Sequence, residues 1–424
     1  MSQLFRFAHI SDIHLGAFRE PVLRELEMSA LNETVERCIE LSVDFVLISG
    51  DVFHVGIPDL TVVNDSIKAF RKLQEAKIPL YVIYGSHDYT PNGTSIIDIL
   101  ETAGILTNVT KMRADEEGFV LLDFVTDPKT GAKLTGISAR RVGLESKIYE
   151  KLDKARLEHE KGFKIFAFHS GITELKPTFL NDMETIPVSC FPKNFHYYAG
   201  GHIHKKGEFS LPGYPKIVFP GPLFTGYGKD IEDTAKGTKR GFYLVSFDEQ
   251  LSDAKFVPIK AVDGEFFEYD ATGKNSHEAA RELSLSLDKL EVNGKMVIVR
   301  LKGELSGGKT SDFETAEMGR KLSSNGAIYV QFNRFSLTTK EYEGNRMSGE
   351  DIPTVEANFF RENIGTVKVT QPNLKGKEGA TCAVELLKSL RQQQKVGETK
   401  TNYEERVAKS GIETLKLSKE FEEE

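Results

Sequence analysis

Five short apolar runs in the first half of the chain each lead straight into a residue that can ligate a metal. FAHISDIH reaches Asp12 and His14, VLISGDVFH reaches Asp51 and His54, and VIYGSHD reaches Ser86, His87 and Asp88. IFAFHSG reaches His169, and YYAGGHIH reaches His202 and His204. The runs at 4–10, 44–49, 80–84, 164–168 and 197–199 are β-branched or aromatic and bounded by Gly, Pro or Asp, which reads as buried strands. Residues 24–41 and 61–76 between them repeat apolar side chains at helical spacing. Strand–helix–strand alternation predicts an α/β domain, closed near residue 250 by further strands at 217–219 and 241–247. Ligands of open α/β sheets sit outside the carboxyl ends of the strands, so five strands aim their donors at one crevice.

Six of the ten histidines stand at these ends, against an ordinary background at His9, His159, His196 and His277. In extended chain, residues i and i+2 face one side, so Asp12 pairs with His14 and His202 with His204. The donors are imidazole and carboxylate without thiolate, which suits Mn, Fe, Zn, Ni or Co. They are too many for one tetrahedral ion. Two metals about 3.5–4 Å apart account for them, with Asp51 as the natural bridge.

The remaining sequence bounds the reading. Fifty-five basic against 63 acidic residues give a net charge of −8, so any phosphate-binding surface must be a local patch. Three cysteines (Cys38, Cys190, Cys382) without a CxxC exclude a disulfide scaffold or a thiolate zinc finger. The N-terminus lacks a signal-peptide pattern and no apolar run reaches the ~18–20 residues of a membrane span, so a cytoplasmic protein without a membrane partner is expected. After residue 255 comes a small α+β unit, with strands at 262–271, 295–301 and 327–335 and helices at 276–290 and 311–322. A polar stretch at 336–377 reads as a linker. Helices at 378–394 and 403–421 end the chain, too small to form a core alone.

The combination DIH, GDVFH, GSHD, FHSG and GGHIH resembles the five motifs of calcineurin-like metallophosphoesterases over residues 1–250. The resemblance implies a four-layer α-β-β-α domain. It also implies one metal on Asp12, His14, Asp51 and His204, and a second on Asp51, Ser86, His169 and His202. His87, paired with Asp88, would assist the leaving group. The family usually has Asn where this chain has Ser86, a shorter and poorer ligand. Within the family, DIHLG, the extra histidine His54 and the layout resemble the nuclease subunit of the double-strand-break repair complex (Mre/SbcD type), in its archaeal form.

That branch implies a DNA-capping domain at 255–335, the linker at 336–377, and a segment at 378–424 that binds a coiled-coil ABC-type ATPase. It implies two manganese ions (other divalent metals being possible), a homodimer, and association with the nucleoid when DNA is bound. The activity implied is 3′-to-5′ exonuclease on duplex DNA and endonuclease on single strands, with His54 and His87 as catalytic histidines. DNA-backbone contacts are expected from Arg140, Arg141, Lys205 and Lys206. Two other readings share the motifs: a phosphoesterase acting on small substrates, and a metal-binding scaffold whose catalysis is weakened by Ser86.

Overall fold

The computed structural model describes residues 4–90, 93–139, 145–176, 184–339, 356–357, 360–361, 374–395, 398 and 400–416. The chain divides into two units, Met1–Thr338 and Thr339–Glu424.

Two six-stranded sheets form the centre of the first unit among the described residues. The first runs in the order Leu251–Ile259, Arg240–Phe247, Phe5–Ile10, Phe45–Ser49, Leu80–Ile83 and Thr107–Asn108. Its last four strands are parallel, and Arg240–Phe247 pairs antiparallel with Phe5–Ile10. The second runs Gly207–Leu211, Tyr214–Phe219, Tyr197–Gly201, Lys164–His169, Lys133–Ile137 and Val125–Thr126. Strand alternation sends one set of side chains into the space between the sheets, where Phe7, Phe45 and Leu47 meet Ile165, Tyr197 and Val218. The opposite set of the first sheet, including Ala8, Ile10, Val46 and Ile48, packs under helices Pro21–Glu40 and Leu60–Glu75. Proline opens the first of these helices, and Asp59 caps the second by accepting the Thr61 amide at 2.8 Å. Short elements, among them Ser146–Glu150 and Lys154–His159, cover the second sheet. The layering is α-β-β-α, as the motifs imply.

The first sheet extends past the boundary expected at residue 250. Leu251–Ile259 returns along Arg240–Phe247 in register from Arg240↔Ile259 to Ser246↔Asp253. It is an edge strand with mostly exposed or half-buried residues, so it lacks the apolar run that marks a central strand.

A three-stranded sheet follows, Asp263–Asp270, Lys295–Leu305 and Tyr329–Thr339, with helices Ser276–Leu287 and Thr315–Ser324. Their apolar residues form a separate core around Leu283, Val299, Leu301 and Leu322. The last strand runs to Thr339, so the expected linker begins later than 336, and most of it lies outside the described residues. In the second unit, helices Gly376–Leu390 and Lys400–Leu415 pair, with the Tyr403 hydroxyl donating to the Gln392 carbonyl at 2.8 Å. Within Gly376–Leu390 only Gly379 and Ala380 are buried. No helix among the described residues is long and apolar enough to cross a membrane.

Candidate metal centre

The ends of five strands from both sheets converge, and their loops are tied together by backbone amides that donate to carbonyls and to the carboxylates of Asp12 and Asp51. The Asp12 amide donates to the Gly50 carbonyl at 3.1 Å and the His14 amide to the Asp51 carbonyl at 2.9 Å. The His202 amide donates to Asp12 Oδ1 at 2.9 Å, joining the second sheet to the first. The His87 amide donates to Asp51 Oδ1 at 2.8 Å. Gly85 lets that last loop approach: a Cβ there would lie 2.0 Å from Asp51 Oδ1. Asp12, His14, Asp51 and His202 all carry left-handed φ, between 52° and 82°. That conformation is costly for a side chain with a Cβ, and such strain collects at functional sites.

The side chains then face one another closely. Asp51 Oδ2 lies 3.1 Å from His169 Nε2 and 3.5 Å from His14 Nε2. Asp12 Oδ1 is 3.8 Å from His204 Nε2 and 4.0 Å from His169 Nε2. His14 Nε2 and His204 Nε2 are 3.0 Å apart. The second nitrogens decide what these atoms can be. His169 Nδ1 donates to the Ser49 carbonyl at 2.7 Å, and His204 Nδ1 donates to Asp230 Oδ2 at 2.7 Å. A neutral imidazole with hydrogen on Nδ1 presents a lone pair at Nε2. Lone pairs and carboxylate oxygens are thus gathered at the distance of mutual contact in a buried place. That is the donor set of a cation site, each imidazole oriented by a carbonyl or carboxylate behind it.

Without a cation the same residues balance charge with protons. Burial disfavours a charged His169, but Asp51 and Asp12 outweigh it and push its pKa up to about 10. Burial works against Asp51 too, yet His169 and His14 hold it well below the usual carboxylate range. His202 is pushed down to about 4 by burial and by His169.

His54 and His87 stand at the half-buried rim. His14, His54 and His87 each offer a ring nitrogen within 4.8 Å of the others. The expected partnership of His87 with Asp88 is not formed. Asp88 is buried and accepts the amides of Gly85, Phe53 and Val52 at 2.9, 2.9 and 3.2 Å. Its carboxylate staples two loops together, and burial with the nearby Asp51 raises its pKa to about 6. His87 instead donates from Nδ1 to the His54 carbonyl at 2.6 Å, and its Nε2 meets the Tyr227 hydroxyl at 2.7 Å.

Ser86 lies half-buried on the turn between Gly85 and His87. The His202 ring is 5.3 Å from the His169 ring. Lys205 and Lys206 are exposed just after the last motif, the Lys206 ammonium lying over the Phe256 ring at 4.1 Å. Arg140 and Arg141 lie outside the described residues.

Residues 5–206 match the family of calcineurin-like phosphoesterases. This stretch is similar to calcineurin-like phosphoesterase domains. That similarity implies a dinuclear divalent metal site, and the Asp and His groups around Asp51 fit one. Three archaeal relatives carry the name DNA double-strand break repair protein Mre11. The one from Archaeoglobus fulgidus is 24% identical over 269 residues, 57% of each chain. That from Methanococcus maripaludis is 28% identical over 245 residues, 56% of this chain and 62% of its own. That from Methanocaldococcus jannaschii is 27% identical over 315 residues, 68% of this chain and 76% of its own. The match thus spans less than two thirds of the length of the first two relatives. A solved dimetal phosphatase from Danio rerio is 10% identical with a TM-score of 0.35, covering 60% of this chain and 99% of that one, too distant to bear on the argument.

Four residues of the centre escape the sequence reading. Tyr227 and Asp230 sit at the start of helix Gly228–Ala235, more than twenty residues past the last motif. Arg240 is buried beneath them, donating to the Asp230 carbonyl at 3.0 Å. Glu27, on helix Pro21–Glu40, accepts the amide of Gly16 at 2.9 Å and so steadies the loop after His14. The glycine-rich run 221–228 was the one local signal for the first pair; nothing local marks the other two.

Proposed function

We propose that this chain is a manganese-dependent DNA nuclease, a 3′-to-5′ exonuclease on duplex ends and an endonuclease on single strands. It would act in double-strand-break repair with an ABC-type coiled-coil ATPase. The observation that carries the reading is Asp51 Oδ2 standing between His14 Nε2 and His169 Nε2, with two further histidines at the rim. The name shared by the archaeal relatives supports DNA as the substrate.

Asp12, His14, Asp51 and His204 would hold one cation, and Asp51, Ser86, His169 and His202 the other. A cation pair there supplies an activated water and neutralises phosphate charge. The protein's own groups do the rest. If His14 ligates through Nε2, its hydrogen sits on Nδ1 and is shared in a hydrogen bond with His54 Nδ1, 3.3 Å away. His54 then carries its own hydrogen on Nε2, a donor for an oxygen of the pentacoordinate phosphate. Burial and the nearby His87 hold the His54 pKa below its usual value, so it acts as a neutral donor. His87 orients the phosphate or passes a proton to the departing 3′ oxygen, a role worth about 10²–10⁴-fold. Lys205 and Lys206, exposed just after the last motif, would meet the DNA backbone beside the centre; Arg140 and Arg141 are proposed for the same role from sequence alone.

Partners follow from exposed apolar surface. Ile57 and Leu60, at the start of helix Leu60–Glu75, are 70% and 78% exposed, which supports a homodimer through this face. In Gly376–Leu390 the side chains of Val384, Leu386 and Leu387 stay half-exposed, which supports docking of the ATPase there.

The test is hydrolysis of duplex DNA, compared with p-nitrophenyl phosphate, with and without manganese. Manganese-stimulated cleavage of DNA is expected to dominate. A preference for the small monoester would replace this reading with a small-substrate phosphoesterase, and no hydrolysis of either would leave a metal-binding scaffold.

A further inference from the structure

His87 has both ring nitrogens engaged, and the partners are not equivalent. At Nδ1 the partner is the His54 carbonyl, 2.6 Å away, which can only accept. Nδ1 therefore carries the hydrogen. In the neutral ring Nε2 is left with a lone pair, and the group facing it at 2.7 Å is the Tyr227 hydroxyl, which donates. The tyrosine ring also stands among the other imidazoles. Its centroid is 5.1 Å from His204, 5.6 Å from His14 and 5.7 Å from His54.

Tyr227 is itself held from behind. Its backbone amide and that of Gly226 both donate to Asp230 Oδ2 at 3.1 Å, the same oxygen that receives His204 Nδ1. One carboxylate thus sets a proposed metal ligand and the backbone that presents the tyrosine. The Tyr227 side chain remains 46% exposed, so the phenol sits at the mouth of the centre and not in its core. Burial among apolar neighbours does not explain its position; the hydrogen bond to His87 does.

We propose that Tyr227 is a positioning residue of the hydrolytic reaction: its hydroxyl fixes the angle of His87, whose tautomer the His54 carbonyl sets, and so holds Nε2 toward the place of the substrate phosphate. In the free protein the phenol occupies the nitrogen that substrate will need. On binding, Nε2 takes up a proton from solvent as the phenol gives way, and the Nε2–H then donates to a phosphate or leaving-group oxygen; until then the tyrosine keeps the ring from turning about its Cβ–Cγ bond. The chemical group recognised is a phosphodiester oxygen. The inference rests on the nuclease reading for its substrate, but not for its hydrogen-bond geometry.

The test uses the full chain and the substitution Tyr227→Phe, which removes the hydroxyl and keeps the ring. Nitrogen-15 NMR of the histidine side chains, on the metal-free protein, reads the His87 tautomer directly; His87→Ala assigns the signals. In the parent protein His87 is expected to be protonated at Nδ1 alone, with Nε2 shifted by an accepted hydrogen bond. In Tyr227→Phe that shift is lost while Nδ1 stays protonated. Unchanged His87 resonances would overturn the proposal.

Manganese-dependent cleavage of DNA gives the second readout. Tyr227→Phe is expected to lower kcat about 10-fold with KM little changed, the kinetic equivalent of one hydrogen bond. In a His87→Ala background the same substitution is expected to change kcat by less than about 2-fold, because its effect passes through the missing ring. An equal loss in both backgrounds would mean that Tyr227 acts elsewhere, and the proposal would fall. If the parent protein cleaves no DNA, the nuclease reading fails by itself, and the NMR comparison still decides the tyrosine's role.

Discussion

The floor and the rim of the centre are built by different means. On the floor, Asp12, His14, Asp51 and His169 are at most 2% exposed, held by backbone hydrogen bonds, and three of the four lie in left-handed conformation. At the rim, His54, His87 and Tyr227 are half-buried or exposed and held through their side chains, His87 by the His54 carbonyl and the Tyr227 hydroxyl from separate loops. A floor made of backbone is fixed when the sheets form. A rim made of side-chain contacts is adjustable and can yield to substrate. The contrast divides the labour: the floor would bind cations, and the rim would handle the substrate's oxygens and protons.

Substitutions can break or sharpen that division. The largest effect is expected on the floor. Asp51→Ala removes the oxygen shared by His14 and His169 and should abolish stoichiometric manganese binding in calorimetry together with all measurable cleavage. Retention of two bound manganese ions per chain would contradict the arrangement. At the rim, His87→Ala should lower kcat by about 10²–10³-fold, within the range of general acid–base groups, with manganese affinity preserved. Loss of metal along with activity would erase the distinction between the two regions.

Asp230→Asn probes the join between them. The amide accepts from His204 Nδ1 less strongly, so manganese affinity should fall about 10–100-fold, as for other groups that orient a metal-binding histidine. Titration calorimetry reads this directly. The smallest effect concerns Glu27, which braces the loop after His14. Burial pushes its pKa up to about 7 from 4.5, against opposing hydrogen bonds from the Gly16, Ala17 and Phe18 amides. The folded state thus favours the protonated acid. Its contribution is complete below pH 4.5 and is lost as pH rises through 7, by up to about 3 kcal/mol. Glu27→Gln should therefore raise the melting temperature at pH 8 and leave it nearly unchanged at pH 4. A larger gain in acid than in base would show that the side chain is charged in the folded protein.

How much of this could be read from sequence follows the same division. The strands that carry the motifs are short, apolar and bounded by Gly or Asp, so Phe5–Ile10, Phe45–Ser49 and Lys164–His169 stand within a residue or so of their expected limits. Donors placed just after such strands inherit their location from strand polarity. That is why Asp12, His14, Asp51, His169, His202 and His204 could be brought to one place without coordinates. The edge strand Leu251–Ile259 could not, since half its residues face water. Nor could the partner of His87. The adjacent Asp88 was the obvious candidate in sequence, but a carboxylate with three amides pointing at it is better satisfied by backbone than by an imidazole. The true partner comes from residue 227, and contacts between distant loops leave no local pattern.

The short helix Gly228–Ala235 reaches in two directions. Its first turn carries Asp230, clasping His204, while farther along Glu232 pairs with Arg300 of the three-stranded sheet and with Lys236. At its end Ala235 touches Gly264 so closely that a Cβ on the glycine would lie 2.4 Å from the Ala235 Cα. Two turns of rigid rod therefore link the outlying sheet to an imidazole in the crevice. Any shift of that sheet relative to the crevice would pull on Asp230 and, through it, on the ring of His204.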